Sequence, residues 1–163
     1  MKYSQLDRIL DLEPGERLVA ERTLQPDEDY LRDHFPKFPV MPGVMMLETL
    51  TQAATWMIHA GDDFASPLLL VHEVRNVKFG DFLAPHQTLQ VSATKMKEVD
   101  GIITVKGEAS KAGRTTVSAR ILLCRDQYQV EDGGLRNAEI RLRTKKKFTE
   151  LFGDILSPTT KST

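Results

Sequence analysis

His34 and Glu48 stand fourteen residues apart in this 163-residue chain, and a segment with prolines at 36, 39 and 42 runs between them into Gly43. Each could take a separate part in carbonyl chemistry. Removing a proton from the carbon next to a thioester carbonyl needs a base that works near neutral pH, and an ordinary histidine already does. The charge that develops on the carbonyl oxygen needs fixed donors, and the first amides of a helix point outward without intrahelical partners. Gly43 opens an apolar run and, lacking a side chain, allows close approach to those amides. If a β-hydroxyl is then to leave as water, an acid must protonate it. Glu48, set among Val44, Leu47 and Thr51, is a carboxyl that desolvation could keep protonated. Taken singly, a histidine beside prolines can be a cap, and a glutamate early in a helix simply answers the dipole. Their conjunction points to a site.

These groups need elements to hold them. Residues 5–12 and 17–24 read as two strands joined at Glu13-Pro14-Gly15-Glu16, and the acidic residues of 27–32 suit the start of a short helical turn. From Gly43 to Ala60 there is no proline, and Val44, Leu47, Leu50, Ala54, Met57 and Ile58 recur at helical steps up to Gly61. Met45, Met46, Ala53 and Trp56 occupy the other faces, so the helix is expected to be buried on several sides. Four strands are expected at 68–79, 88–99, 102–110 and 115–124, turning at Asp100-Gly101 and Lys111-Ala112-Gly113, as an antiparallel meander. The result is an α+β domain over residues 1–125, its sheet curved around one long helix.

Residues 126–163 read as a basic extension. Asp132-Gly133-Gly134 breaks the chain, Phe148, Leu151, Phe152 and Ile155 fall at the spacing of a short packed helix, and a Ser/Thr/Pro tail, expected to be flexible, closes the sequence. The cluster Arg141, Arg143, Lys145, Lys146 and Lys147 would suit docking of an acidic carrier protein.

Composition narrows the classes. Net charge is −1, with 6 basic and 10 acidic groups in residues 1–60 and 7 and 5 in residues 127–163, so no broad basic face for nucleic acid is expected. The lone Cys124 and four scattered histidines offer no disulfide and no metal-ligand spacing, and neither metal nor cofactor is expected. No apolar run reaches membrane-spanning length and the start lacks a signal-peptide pattern, from which a soluble, cytoplasmic protein is expected. His59 falls at the helix end, where a cation suits the dipole, and is read as structural; His72 and His86 have no neighbouring acid suggesting a relay.

The run His34-Phe35-Pro36-x-x-Pro39-x-Met41-Pro42-Gly43-Val44, with Glu48 and Gln52-Ala53 beyond it, resembles the signature of the 3-hydroxyacyl-acyl-carrier-protein dehydratases of fatty-acid synthesis. The likeness extends from residue 4 to residue 125, through Leu6–Gly15 and Arg75-Asn76-Val77-Lys78-Phe79 with Pro85 and Leu89. It implies the hot-dog fold and a homodimer with shared active sites, a trimer of dimers being the larger assembly to consider. It also implies a lyase that interconverts 3-hydroxyacyl and trans-2-enoyl thioesters on acyl carrier protein. By position, His34 would be the base, Gly43 would polarise the thioester carbonyl, and Glu48 of a second copy would be the acid. Glutamate at 48 is similar to the dehydratase branch; the branch that also isomerises the double bond has aspartate. Phe35, Phe38, Met41, Val44, Gln52, Trp56 and Phe79 are expected to line the acyl tunnel. The chain departs from the pattern at Lys37, Phe38 and Glu73, and in the bend Pro85-His86-Gln87. Two other readings remain beside the dehydratase: a hot-dog thioesterase, and a non-catalytic carrier-binding subunit whose tunnel Lys37 and Phe38 block.

Overall fold

A computed structural model describes residues 3–126 and 133–157. Strands β1 (Arg8–Glu13) and β2 (Arg17–Thr23) form a hairpin, helix α1 spans Gly43–Gly61, and β3 (Leu68–Phe79), β4 (Thr88–Val99), β5 (Ile102–Lys111) and β6 (Arg114–Asp126) follow, before helix α2 (Gly133–Phe152). All pairings are antiparallel, in a six-stranded sheet ordered β1-β2-β4-β5-β6-β3. The expected meander is therefore only β4-β5-β6. Strand β3 pairs instead with β6, Leu68 facing Asp126 and Phe79 facing Val117, which leaves β3 as an edge. Its two bulges and mixed apolar face gave no local cue to that partner.

Helix α1 lies on one face of the sheet, against β2, β4, β5 and β6. Leu50, Met57 and Ile58 are buried there with Leu18, Val91, Val105 and Ile121. The approach is close at β5, where a Cβ on Gly107 would lie 3.1 Å from Leu50 Cβ. At the helix end, carbonyls also accept from outside the helix: Gly15 N–H donates to Met57 O (3.0 Å) and Phe64 N–H to His59 O (2.8 Å). Burial all round does not hold over the first turns. Val44 is 70% exposed and Glu48 is exposed, because the sheet covers only one side of the helix there and the other described residues leave the opposite side open.

Helix α2 packs back onto the body. Phe148 is fully buried, its ring 5.6 Å from Trp56 and 5.4 Å from Phe64, while Arg141 pairs with Asp63 at 2.9 Å. It is twenty residues long rather than short, and it stops at Gly153 (φ +79°), so Ile155 lies beyond it and is largely exposed. Asp132, in the expected break, and the tail from residue 158 lie outside the described residues. Among the described residues no helix is long and apolar enough to cross a membrane.

Candidate active site

The base is held by a loop that is pinned at both ends. Arg22 lies on the inward face of β2 beside Leu18 and Ala20, where a charge must find a partner; it pairs with buried Glu28 and donates to Thr23 O at 3.1 Å. This buried pair fixes the 3₁₀ turn Asp29–Leu31, whose Tyr30 has its phenol pushed up to about 12, first by burial and then by the Glu28 charge. Tyr30 O in turn accepts the His34 N–H at 3.1 Å. At the far end Met41 N–H donates to Leu83 O at 2.8 Å, with Val40 and Met41 buried. Between them Phe35 adopts φ +49°, a left-handed conformation uncommon for an aromatic residue and typical of sites whose surroundings impose it.

This loop orients the imidazole. His34 Nδ1 lies 3.1 Å from the carbonyl oxygen of Val40. Because a carbonyl can only accept, Nδ1 carries the proton and Nε2 is left with its lone pair, the form a general base requires. Pro42, which has no amide hydrogen, precedes the first turn of α1, and its carbonyl accepts from Met45 (2.9 Å) and Met46 (3.2 Å). Among the described residues the Gly43 and Val44 amides find no backbone acceptor and remain available for an oxyanion. The ring of Phe79 covers Gly43 so closely that a Cβ there would sit 2.9 Å from Phe79 Cε1.

Glu48 points into a different space. It accepts from Gln52 Nε2 at 2.8 Å, and Gln52 also donates to Tyr3 O (2.7 Å) and accepts the Gln5 N–H (2.7 Å). Gln52 thus clamps Glu48 to the amino-terminal segment. The carboxylate lines a groove of about 300 Å³ with Gln52, Trp56 and residues of α2, and neither His34 nor Gly43 is among the residues that line it. Among the described residues His34 and Glu48 share neither a hydrogen bond nor this groove.

The other residues singled out in the sequence are scattered. Phe35, Phe38, Phe79 and Val44 are exposed, Phe38 meeting Phe82 edge-on at 5.7 Å; Met41 is in the core, and Trp56 stands between the groove and the aromatic cluster of α2. Lys37 is exposed in the turn closed by Phe38 N–H donating to Phe35 O (2.8 Å). Arg141 and Lys145 are turned to Asp63 and Lys146 to Glu150, while Arg143 is exposed and Lys147 reaches the groove. His59 is buried, and desolvation pulls it down to about 4 against a weaker pull from Asp62, so it is neutral. The cation expected at the helix end is absent because Asp62 is engaged by Arg125 (2.7 Å) and the imidazole stacks on Phe64 instead. Among the described residues no cluster of His, Cys, Asp or Glu could hold a metal ion. Sequence reasoning did not find the Arg22–Glu28 support; its signal was an arginine in register with Leu18 and Ala20.

The FabA-like domain family matches residues 1–120. A curated relative, the 3-hydroxyacyl-[acyl-carrier-protein] dehydratase FabZ of Oenococcus oeni, is 35% identical over 117 residues, covering 72% of this chain and 84% of the relative. The protein of the same name from Shewanella oneidensis is 34% identical over 124 residues, covering 74% and 80%. Among solved structures, the dehydratase heterocomplex ApeI:P of Xenorhabdus doucetiae aligns with a TM-score of 0.62 at 14% identity, over 82% of this chain and 88% of that one. A hypothetical thioesterase with coenzyme A from Streptococcus pneumoniae aligns at 0.57 and 7% identity, over 72% and 84%. The structural likenesses show the hot-dog fold, and with the sequence relatives they establish that the chain belongs to the FabA-like family of 3-hydroxyacyl-[acyl-carrier-protein] dehydratases.

Proposed function

We propose that the chain is a hydro-lyase that reversibly dehydrates 3-hydroxyacyl thioesters on acyl carrier protein to trans-2-enoyl thioesters, and that it works as a homodimer in the cytoplasm. The observation that carries the reading is the His34 Nδ1 contact with Val40 O, which leaves Nε2 as the acceptor. Nε2 takes the C2 proton, and the Gly43 amide holds the charge that moves onto the thioester oxygen. Glu48 gives its proton to the β-hydroxyl, the C–O bond breaks, and water leaves as the C2–C3 double bond forms.

Two features favour a second copy as the source of Glu48. The carboxylate is exposed in one chain, so the desolvation an acid needs must come from elsewhere. Strand β3 is a twelve-residue edge with Leu70, Val71, Val77 and Phe79 exposed, the kind of edge that native proteins cover.

The test supplies a 3-hydroxyacyl and a trans-2-enoyl thioester and follows double-bond absorbance and free thiol together. Interconversion without thiol release is expected, with loss in His34→Ala and Glu48→Gln variants that stay folded. Thiol release without change in the double bond would overturn the reading in favour of a thioesterase. Retained activity in either variant would remove that residue's role.

A further inference from the structure

We infer that helix α2 is a wall of the acyl-binding groove, and that Leu151 sets how long an acyl chain the enzyme accepts. The inference rests on the dehydratase reading. The family model matches residues 1–120, and α2 begins at Gly133, so this wall lies beyond the residues that carry the family match.

The groove beside Glu48 is built from two helices and the amino-terminal segment. From α1 come Glu48, Gln52, Thr55 and Trp56; from α2 come Lys147 and Leu151, one turn apart on one face. Glu48 and Trp56 are eight residues apart, about 12 Å along the helix axis. Its character changes over that distance, from the carboxylate and amide of Glu48 and Gln52 to the indole of Trp56 and the half-buried Leu151.

This gradient identifies the occupant. Glu48 must reach the hydroxyl on C3, so carbons beyond C3 leave through space that adjoins its carboxylate. The groove is such a space; Trp56 and Leu151 offer apolar walls to a hydrocarbon tail, and besides Glu48 the one charged side chain in its lining is Lys147. The wall is fixed rather than loosely apposed, because Phe148 is buried against Trp56 and Phe64 and Arg141 is bonded to Asp63. A fixed wall can measure length. One methylene too many in a rigid apolar pocket is worth roughly tenfold or more in kcat/KM.

The experiment measures hydration of a graded series of trans-2-enoyl pantetheine thioesters, short to long, by the full chain and by Leu151→Phe and Leu151→Ala variants. Leu151→Phe is expected to lower the long-to-short ratio of kcat/KM roughly tenfold, chiefly through KM, and Leu151→Ala to raise it. An unchanged ratio in both variants, with circular dichroism showing α2 intact, overturns the inference. A second readout is independent of turnover: Trp56 is the only tryptophan, and its fluorescence is titrated with saturated acyl-pantetheine thioethers of the same lengths. Should the wild-type chain hydrate nothing, the dehydratase reading fails, while a length-dependent Trp56 response altered in both variants still supports the groove. No response at any length overturns it.

Discussion

His59 couples stability to pH through its neutral, buried imidazole. Its ring lies between Trp56 (5.8 Å) and Phe64 (6.1 Å), Nδ1 has no hydrogen-bond partner among the described residues, and burial pulls its pKa from 6.5 to about 4. The unfolded chain therefore binds this proton first. A base with a depressed folded pKa contributes full stability above about 6.5 and loses it as pH falls toward 4. The whole shift corresponds to roughly 3 kcal/mol, of which about 2 is expected to be lost between neutrality and about pH 5. His59→Phe keeps an aromatic ring against Phe64 and removes the titration. Urea unfolding of both proteins, followed by Trp56 fluorescence at one fixed concentration across that interval, isolates the contribution. Carboxylates on which His59 does not act, such as Glu98 held low by Arg125, behave alike in both proteins and cancel in the difference. Equal losses in wild type and variant would refute the buried neutral histidine.

Mixing separately inactive His34→Ala and Glu48→Gln chains under conditions of subunit exchange should restore activity to about one quarter of wild type, since half the dimers are mixed and each carries one intact site; no restoration would mean that both groups serve a site within one chain. Gly43→Ala should push the exposed Phe79 ring aside at a cost of less than about 1 kcal/mol, because a ring edge yields more readily than backbone, while the methyl beside the amide lowers kcat roughly a hundredfold. Thermal melting and steady-state kinetics separate the two effects. Glu28→Gln should cost up to about 3 kcal/mol by leaving buried Arg22 with only the more exposed Asp7 carboxylate, 3.6 Å away, as counter-charge, read as a fall in the urea midpoint.

Much of this architecture was legible because it is local. Helix α1 follows from its apolar spacing, and the two tight hairpins follow from Asp100-Gly101 (φ +51°, +77°) and Ala112-Gly113 (φ +48°, +79°). The His34 loop and Gly43 could be placed because three prolines and a glycine dictate an irregular path into a helix start. What escaped was non-local. Nothing in β3 itself names β6 as its partner across forty residues, and the exposure of Glu48 depends on where the sheet ends rather than on which residues flank it. The position of Lys147 and Leu151 beside Glu48 depends on how Phe148 docks, which helical periodicity alone does not direct.

The open edge of β3 bears on identity as well as assembly. Backbone amides and carbonyls are the same in every protein, so the outer side of β3, which is paired only with β6, offers recognition that cannot tell one chain from another. Discrimination between a second copy and any other chain with a similar edge falls to the exposed side chains of β3, Leu70, Val71, Val77 and Phe79 among them. After duplication of the gene, change at such positions could turn two descendants from separate enzymes into obligate halves of one.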